Sequence, residues 1–334
     1  MTTVHEFINL ADLASARVGG RAIATNDDFF APKANLVKPE PAIFIPGKYT
    51  SKGKWMDGWE SRRRRVPGHD WCIVELGTRG VVHGVNVDTS HFTGNYPSHC
   101  SIEAVDMPSG VKPALHAIEG APWTTLLEKS ALRGNGDNLF PISDRRPWTH
   151  LRLSIYPDGG VARLRVYGEV SVDWSKVGKR EIDLALITNG GLFLAASDLH
   201  YGTRGALIMP GRAKNMGDGW ETRRRRGPGH DWAIVRLGHP GVISKIEIDT
   251  NHFKGNYPDR ASLEGRMSPT ASLEVLQLGD WMPILPETKL SAHKRDYFSG
   301  RQVRHRGPFS HVRLNMFPDG GISRLRIHGT TTRN

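Results

Sequence analysis

Apolar and polar residues alternate with a period of two through most of the chain, the pattern of strands with one buried face. In DWCIVELG (70–77), Cys72, Val74 and Leu76 share one face and Trp71, Ile73 and Glu75 the other. In GVNVDT (84–89), Val85 and Val87 oppose Asn86 and Asp88. In HLRLSIY (150–156), Leu151, Leu153 and Ile155 oppose Arg152 and Ser154, and in ARLRVY (162–167) Ala162, Leu164 and Val166 oppose Arg163, Arg165 and Tyr167. The YPDGG between these last two strands has the turn residues of a tight hairpin connection. Helical patterns are confined to short stretches around 6–16 and 180–187. Many short strands joined by turn signals predict an all-β protein of antiparallel β-sandwich type, jelly-roll-like in size.

The pattern is written twice. Residues 56–97 and 217–258 align without a gap at an offset of 161, as do HLRLSIYPDGGVARLRVYG (150–168) and HVRLNMFPDGGISRLRIHG (311–329). Toward the amino end the offset becomes 171, which puts about ten extra residues into the first copy around 32–55. Two tandem copies of one domain follow, 1–170 and 171–334, with the junction near 169–180. The duplication also filters residues, because a feature in both copies serves the fold or a site common to both. Cys72 and Cys100 fall on Ala233 and Ala261, so neither thiol belongs to the repeated design.

Composition changes this picture little. The chain has 334 residues, 38% of them hydrophobic and 24% charged, with 37 glycines and 21 prolines, which fits folded, turn-rich domains and not a disordered chain. No apolar run is long enough for a membrane helix, and the first twenty residues lack the basic-then-apolar order of a secretory signal. Two cysteines favour a reducing cytoplasm. The net charge of +11 invites a nucleic-acid reading. The basic residues are spread along the chain, however, and a small anionic ligand accounts for them as well. Walker, HExxH, CxxC and GxSxG motifs are absent.

Three recurring constellations carry candidate chemistry. GWESRRRRVPGHDW (58–71) and GWETRRRRGPGHDW (219–232) each hold four arginines. On extended backbone these point alternately to two sides, so Arg63 and Arg65, or Arg224 and Arg226, can grip a carboxylate together while the others enter ion pairs. His69 and Asp70, matched by His230 and Asp231, stand at a strand entrance as a base with its carboxylate, or as turn caps. DTSHFTGNYP (88–97) and DTNHFKGNYP (249–258) place Asp88, His91, Asn95 and Tyr96, or Asp249, His252, Asn256 and Tyr257, in one loop. Loops on a rigid sandwich commonly carry function. The alternative for this loop is scaffolding.

The strings DGWExRRRRxPGHDW and DTxHFxGNYP, about 30 residues apart and present twice, resemble those of the allantoicase (allantoate amidinohydrolase) family, over nearly the whole chain. The resemblance implies two jelly-roll-like sandwiches and hydrolysis of allantoate to ureidoglycolate and urea in purine catabolism. It implies a small-molecule substrate and self-association, with no nucleic-acid or membrane partner. For that reaction the bond from the central carbon to one ureido nitrogen must break, and a general acid must protonate the departing nitrogen. The candidate roles are His91 or His252 as acid and Asp88 or Asp249 as its partner, with the His69–Asp70 and His230–Asp231 pairs as further acid–base candidates. Asn95 and Tyr96, or Asn256 and Tyr257, would bind ureido oxygens. The sequence requires no cofactor; His69, Asp70, Asp88 and His91 are the side chains a divalent metal would use if folding gathered them. The competing class is a non-catalytic sandwich module that binds a sugar or other polar ligand.

Overall fold

A computed structural model of the chain describes residues 6–108 and 113–332. It divides into two compact units, Met1–Ser171 and Val172–Asn334. Among the described residues no helix is long and apolar enough to cross a membrane.

Each unit is organised by one 19-residue strand, Asp70–Asp88 in the first and Asp231–Asp249 in the second. Its two halves belong to different layers. Residues 70–75 pair with the strand Pro147–Tyr156, which pairs in turn with His99–Val105 and through it with Thr124–Ala131. Residues 80–88 pair instead with Arg163–Val170, whose far edge carries Ala11–Asp12. Asp70 lies opposite Ile155 and Asp88 opposite Arg163. The eight Cα–Cα steps from residue 155 to 163 span at most ~29 Å, whereas a straight 19-residue strand would reach ~60 Å. The strand therefore folds back, and both its ends lie at the same end of the sandwich. The bend falls at Gly77–Gly80, where a Cβ on Gly77 would stand 2.3 Å from the Val18 carbonyl oxygen.

The alternating faces become the core. Cys72, Val74, Val85, Val87, Leu151, Leu153, Ile155, Leu164 and Val166 are fully buried between the layers. Ile73, on the opposite face of its strand, is buried too, because Ile118 and Ala24 cover that part of the first layer. Burial of such side chains contributes roughly 1.5–3 kcal/mol each.

Three expectations change. The YPDGG segment is not a hairpin: Pro147–Tyr156 and Arg163–Val170 pair with opposite halves of the folded strand and not with each other. It crosses between layers, as FPDGG does in the second unit. Turn chemistry specifies a reversal of direction, and strand periodicity does not say in which layer the next strand lies. The stretches 6–16 and 180–187 hold short 3-10 turns and two-residue strands. The α-helices are Leu115–Glu119 and Leu273–Leu278, too short to show a helical period. The inserted residues are placed more closely, between Ala42 and Asp57, as shown by the matched contacts of Ala42 and Ala213 below.

Arg163 and Arg324, which the strand pattern puts on a polar face, are 1% exposed. Arg163 bonds the carbonyls of Glu40 (2.9 Å), Pro41 (3.3 Å), Asp57 (2.8 Å) and Ala162 (2.7 Å), and the Asp57 carboxylate (2.7 Å). Arg324 does the same with Gly211, Asp218 and Ser323. Each arginine ties the loop that leads into the arginine run onto the second layer. Truncation by Arg163→Ala leaves those acceptors buried and is expected to cost about 3–5 kcal/mol, measured by chemical denaturation.

His311, 2% exposed, is the third residue of the strand Phe309–Phe317 in the second unit. Burial, helped by Arg236 and Arg266, pushes its pKa down to about 4. An unfolded histidine takes up a proton near pH 6.5, so the unfolded state binds more protons between these values. Stability of the second unit is expected to fall as pH drops from about 6.5 to about 4, and a His311→Leu variant should show a shallower slope in melting temperature against pH.

Candidate active site

The fold-back of the long strand brings the recurring strings together at one end of each sandwich. In the first unit, segments 58–64, 88–97 and 157–162 are stitched by backbone bonds: Ser61 N to Gly159 O (3.1 Å), Gly160 N to Asn95 O (2.7 Å) and Ala162 N to Asp88 O (2.7 Å). Trp59 is fully buried and donates its indole N–H to the Asp27 carbonyl (2.8 Å). Phe92 packs so close to Gly160 that a Cβ there would stand 1.9 Å from its ring.

Much of the DTxHFxGNYP loop serves this junction. The Asp88 carboxylate accepts from Ser90 N (2.7 Å). His91 has φ 71° and its Nε2 faces the Ala42 carbonyl (3.2 Å), with the ring stacked on Phe44. His252 repeats this with φ 72° and Ala213 (2.9 Å). Asn95 donates to Glu60 (2.7 Å), whose carboxyl is raised by burial against that bond, and Asn256 donates to Glu221. Tyr96 lies over Gly134, and Tyr257 is half-buried. Asp249 is 1% exposed and faces Arg212 and Arg295 in a separate cleft. Each imidazole expected to act as an acid is thus held against a loop carbonyl beside a left-handed backbone corner.

The arginine run divides as alternation requires, with Arg62 and Arg64 drawn into ion pairs and Arg63 and Arg65 left exposed. Arg62 pairs with Asp27 (2.6 Å) and Arg223 with Asp198 (2.8 Å). Arg64 turns inward and bonds Asp70 through Nη1 (2.8 Å), and Arg225 does the same with Asp231. Arg63, Arg65, Arg224 and Arg226 are exposed. Asp70, 1% exposed, also accepts from Asn26 (2.9 Å) and so orients Arg64. The four side chains offered for a metal do not converge. Among the described residues no group of three or more His, Cys, Asp or Glu gathers at metal-binding range.

Arg64 and His69 stand over a cleft of about 650 Å³ on the outer face of the first layer. Its floor is the polar face of the strands. Arg152 bonds Glu103 (2.7 Å) and lies over Trp123 (4.8 Å). Tyr156 shares a hydrogen bond with Ser101 (2.9 Å), carries the His69 ring at 4.8 Å, and lies under the Lys129 ammonium at 4.5 Å. Three cations, Arg64, Lys129 and Arg152, thus face two glutamates, Glu103 and Glu128. Sequence reasoning passed over Glu103, Lys129 and Arg152, although Arg152 and Glu103 recur at the 161 offset as Arg313 and Glu264.

The second unit keeps part of this face. Arg313 bonds Glu264 (2.7 Å) and lies over Trp281 (5.1 Å), and His230 packs on Phe317 (4.6 Å). Asn315 replaces Ser154 and bonds Glu264 and Ser262 itself. Phe317 replaces Tyr156, and strand register sets Glu287 where the first unit has Lys129. Glu287 is ion-paired with Arg260, and the tyrosine hydroxyl is gone.

The allantoicase repeat model matches residues 11–171 and 182–332. This chain belongs to the allantoicase family. A probable allantoicase of Burkholderia mallei is 50% identical over 329 residues, 98% of this chain and 95% of that protein. One from Pseudomonas syringae is 48% identical over 332 residues, 98% of each. The crystal structure of allantoicase from Saccharomyces cerevisiae superposes with a TM-score of 0.80 at 33% identity, covering 96% of this chain and 92% of that one. Within this allantoicase fold the two thiols take no part in the cleft. Cys72 and Cys100 are buried in the core, and burial raises both, Cys100 to about 12.

Proposed function

We propose that the cleft of the first unit is where this allantoicase-family chain binds and cleaves allantoate. The reaction is that of the family: allantoate and water give ureidoglycolate and urea, a step of purine catabolism. One observation carries the siting. The inward Arg64, His69 and Arg152 of the repeated design meet Lys129 and Tyr156, whose positions hold Glu287 and Phe317 in the second unit, so only the first cleft turns an ammonium and a phenol hydroxyl there toward an anion.

In this reading Arg64, oriented by Asp70, and Lys129 hold the carboxylate, with Arg64 presenting a rigid guanidinium fork. Arg152 is fixed by Glu103 and Trp123 and faces one ureido oxygen. The hydroxyls of Ser101, Ser154 and Tyr156 bond the ureido groups. His69 donates a proton to the departing nitrogen as the central carbon–nitrogen bond breaks, and the pair of electrons leaves with urea. The lone pair of the remaining ureido nitrogen forms an imine-like bond to the central carbon. Water adds to that carbon and its proton passes to Glu128, which releases it to solvent as solvent returns one to His69. A self-associating enzyme of the cytoplasm agrees with the two reduced thiols and with the exposed Phe44, Ile45 and Tyr49 of the inserted loop.

His69→Ala is expected to lower kcat about 10²–10⁴-fold, and Lys129→Glu, which installs the second unit's residue, to raise KM. If His230→Ala takes the loss and His69→Ala stays within about tenfold of the parent, the reaction belongs to the second unit. In water enriched in heavy oxygen, the label is expected in the ureidoglycolate hydroxyl; label in urea would refute cleavage at the central carbon.

A further inference from the structure

The second unit has a cleft of its own on the outer face of its other layer, with a volume of about 360 Å³. Its walls carry both signs of charge. Arg212 Nε lies 3.4 Å from Asp249. Arg295 Nε lies 3.5 Å from both Glu247 and Asp249. Arg326 Nε lies 3.5 Å from Asp183, and its Nη2 bonds the Gly211 carbonyl (2.8 Å). These ion-pair distances are longer than charge-assisted hydrogen bonds. Three polar atoms of the floor, Arg326 Nη1, His328 Nε2 and Asp183 Oδ2, are buried without a hydrogen-bond partner. Such groups cost free energy unless something else satisfies them.

The first unit shows what the same place looks like when it closes on itself. Arg165 there uses both terminal nitrogens, on Asp12 (3.3 Å) and the carbonyls of Lys38, Pro39 (3.1 Å) and Glu40 (3.2 Å). Asn86 bonds Asp137 (2.6 Å), and Tyr167 packs on Phe7. By repeat offset and strand register, these three positions become Glu247, Arg295 and His328 in the second unit, and Pro41 becomes Arg212. Two cations have been added and an imidazole replaces a phenol.

We infer that this cleft is a second, non-catalytic binding site for a small ureido acid. The inference rests on the reading that hydrolysis occurs in the first unit. Arg212, Arg295 and Arg326 would take the carboxylate, and Glu247 and Asp249 would accept from ureido N–H groups. A ligand with an anionic end and a donor-rich end matches walls of alternating sign, where a plain carboxylate would leave the acids unanswered. Substrate and product of the family's reaction both have this chemistry, so the second unit can respond to their concentration while the first performs the chemistry.

The test uses N-carbamoylglycine, a stable ureido acid with one ureido arm, titrated calorimetrically onto the full chain. The Lys129→Glu variant reverses a charge in the first cleft, so the binding that persists in it reports the second. Adding His328→Tyr, the first unit's own residue, or Arg212→Ala at the half-exposed rim is expected to weaken that binding about tenfold or more, the effect of one charge-assisted hydrogen bond. An unchanged melting temperature checks folding. Acetate is expected to bind at least about tenfold more weakly. Absence of binding in Lys129→Glu, indifference to both added substitutions, or equal affinity for acetate would overturn the inference. Allantoate turnover by the single variants His328→Tyr and Arg212→Ala is expected to stay within about twofold of the parent. Its loss would overturn the non-catalytic assignment, whereas full activity of Lys129→Glu would count against the first-unit siting alone.

Discussion

Arg163 puts a permanent positive charge where water does not reach, and the chain answers it with five acceptor contacts from residues 40–41, 57 and 162. A guanidinium has donors and no acceptor, and it cannot shed its charge, so every neighbouring segment must present an oxygen. That requirement fixes where the loop leaves the second layer and where the arginine run begins. From there Trp59 is set on Asp27, Arg62 on the same aspartate, and Arg64 on Asp70. The inward aim of Arg64 is thus the last link of a chain of contacts that starts at a buried charge. The same sequence of contacts, centred on Arg324, runs through the second unit.

Duplication separates what the fold needs from what a site needs. The end junctions are nearly identical in the two units, down to the left-handed histidines facing Ala42 and Ala213. The outer faces have diverged. On one layer the first unit has an open cleft with Lys129, Ser154 and Tyr156, where the second has Glu287, Asn315 and Phe317. On the other layer Asn86 meets Asp137 in the first unit, while Glu247 and Arg295 leave an opening in the second. One repeated scaffold thus carries two different polar surfaces.

The strands and their buried faces were legible because burial imposes a period of two: Val74, Leu153 and Val166 all lie where alternation puts them. The repeat was legible because both copies must satisfy the same junction. The layer change at YPDGG was not, since it depends on how the long strand bends at Gly77–Gly80. Recurrence alone does not separate the two demands on Asp88, His91, Asn95 and Tyr96, because loop closure requires specific hydrogen bonds as strictly as catalysis does. The cleft is written in single polar residues spaced two apart along strands, such as Arg152, Ser154 and Tyr156. Their meaning appears only when Thr124–Ala131 and the Arg64 loop are folded beside them.

The ten-residue insertion leaves the common path after Ala42, whose carbonyl meets His91, and rejoins it at Asp57, which is held by Arg163 and Lys38. Both departure points are pinned, and the hairpin Tyr49–Lys54 between them is exposed. Closing a longer loop between fixed anchors adds only about 0.6 kcal/mol for each doubling of its length. Segment length at this corner is therefore cheap to vary in folding free energy, so the fold tolerates peptide of different lengths between these two anchors.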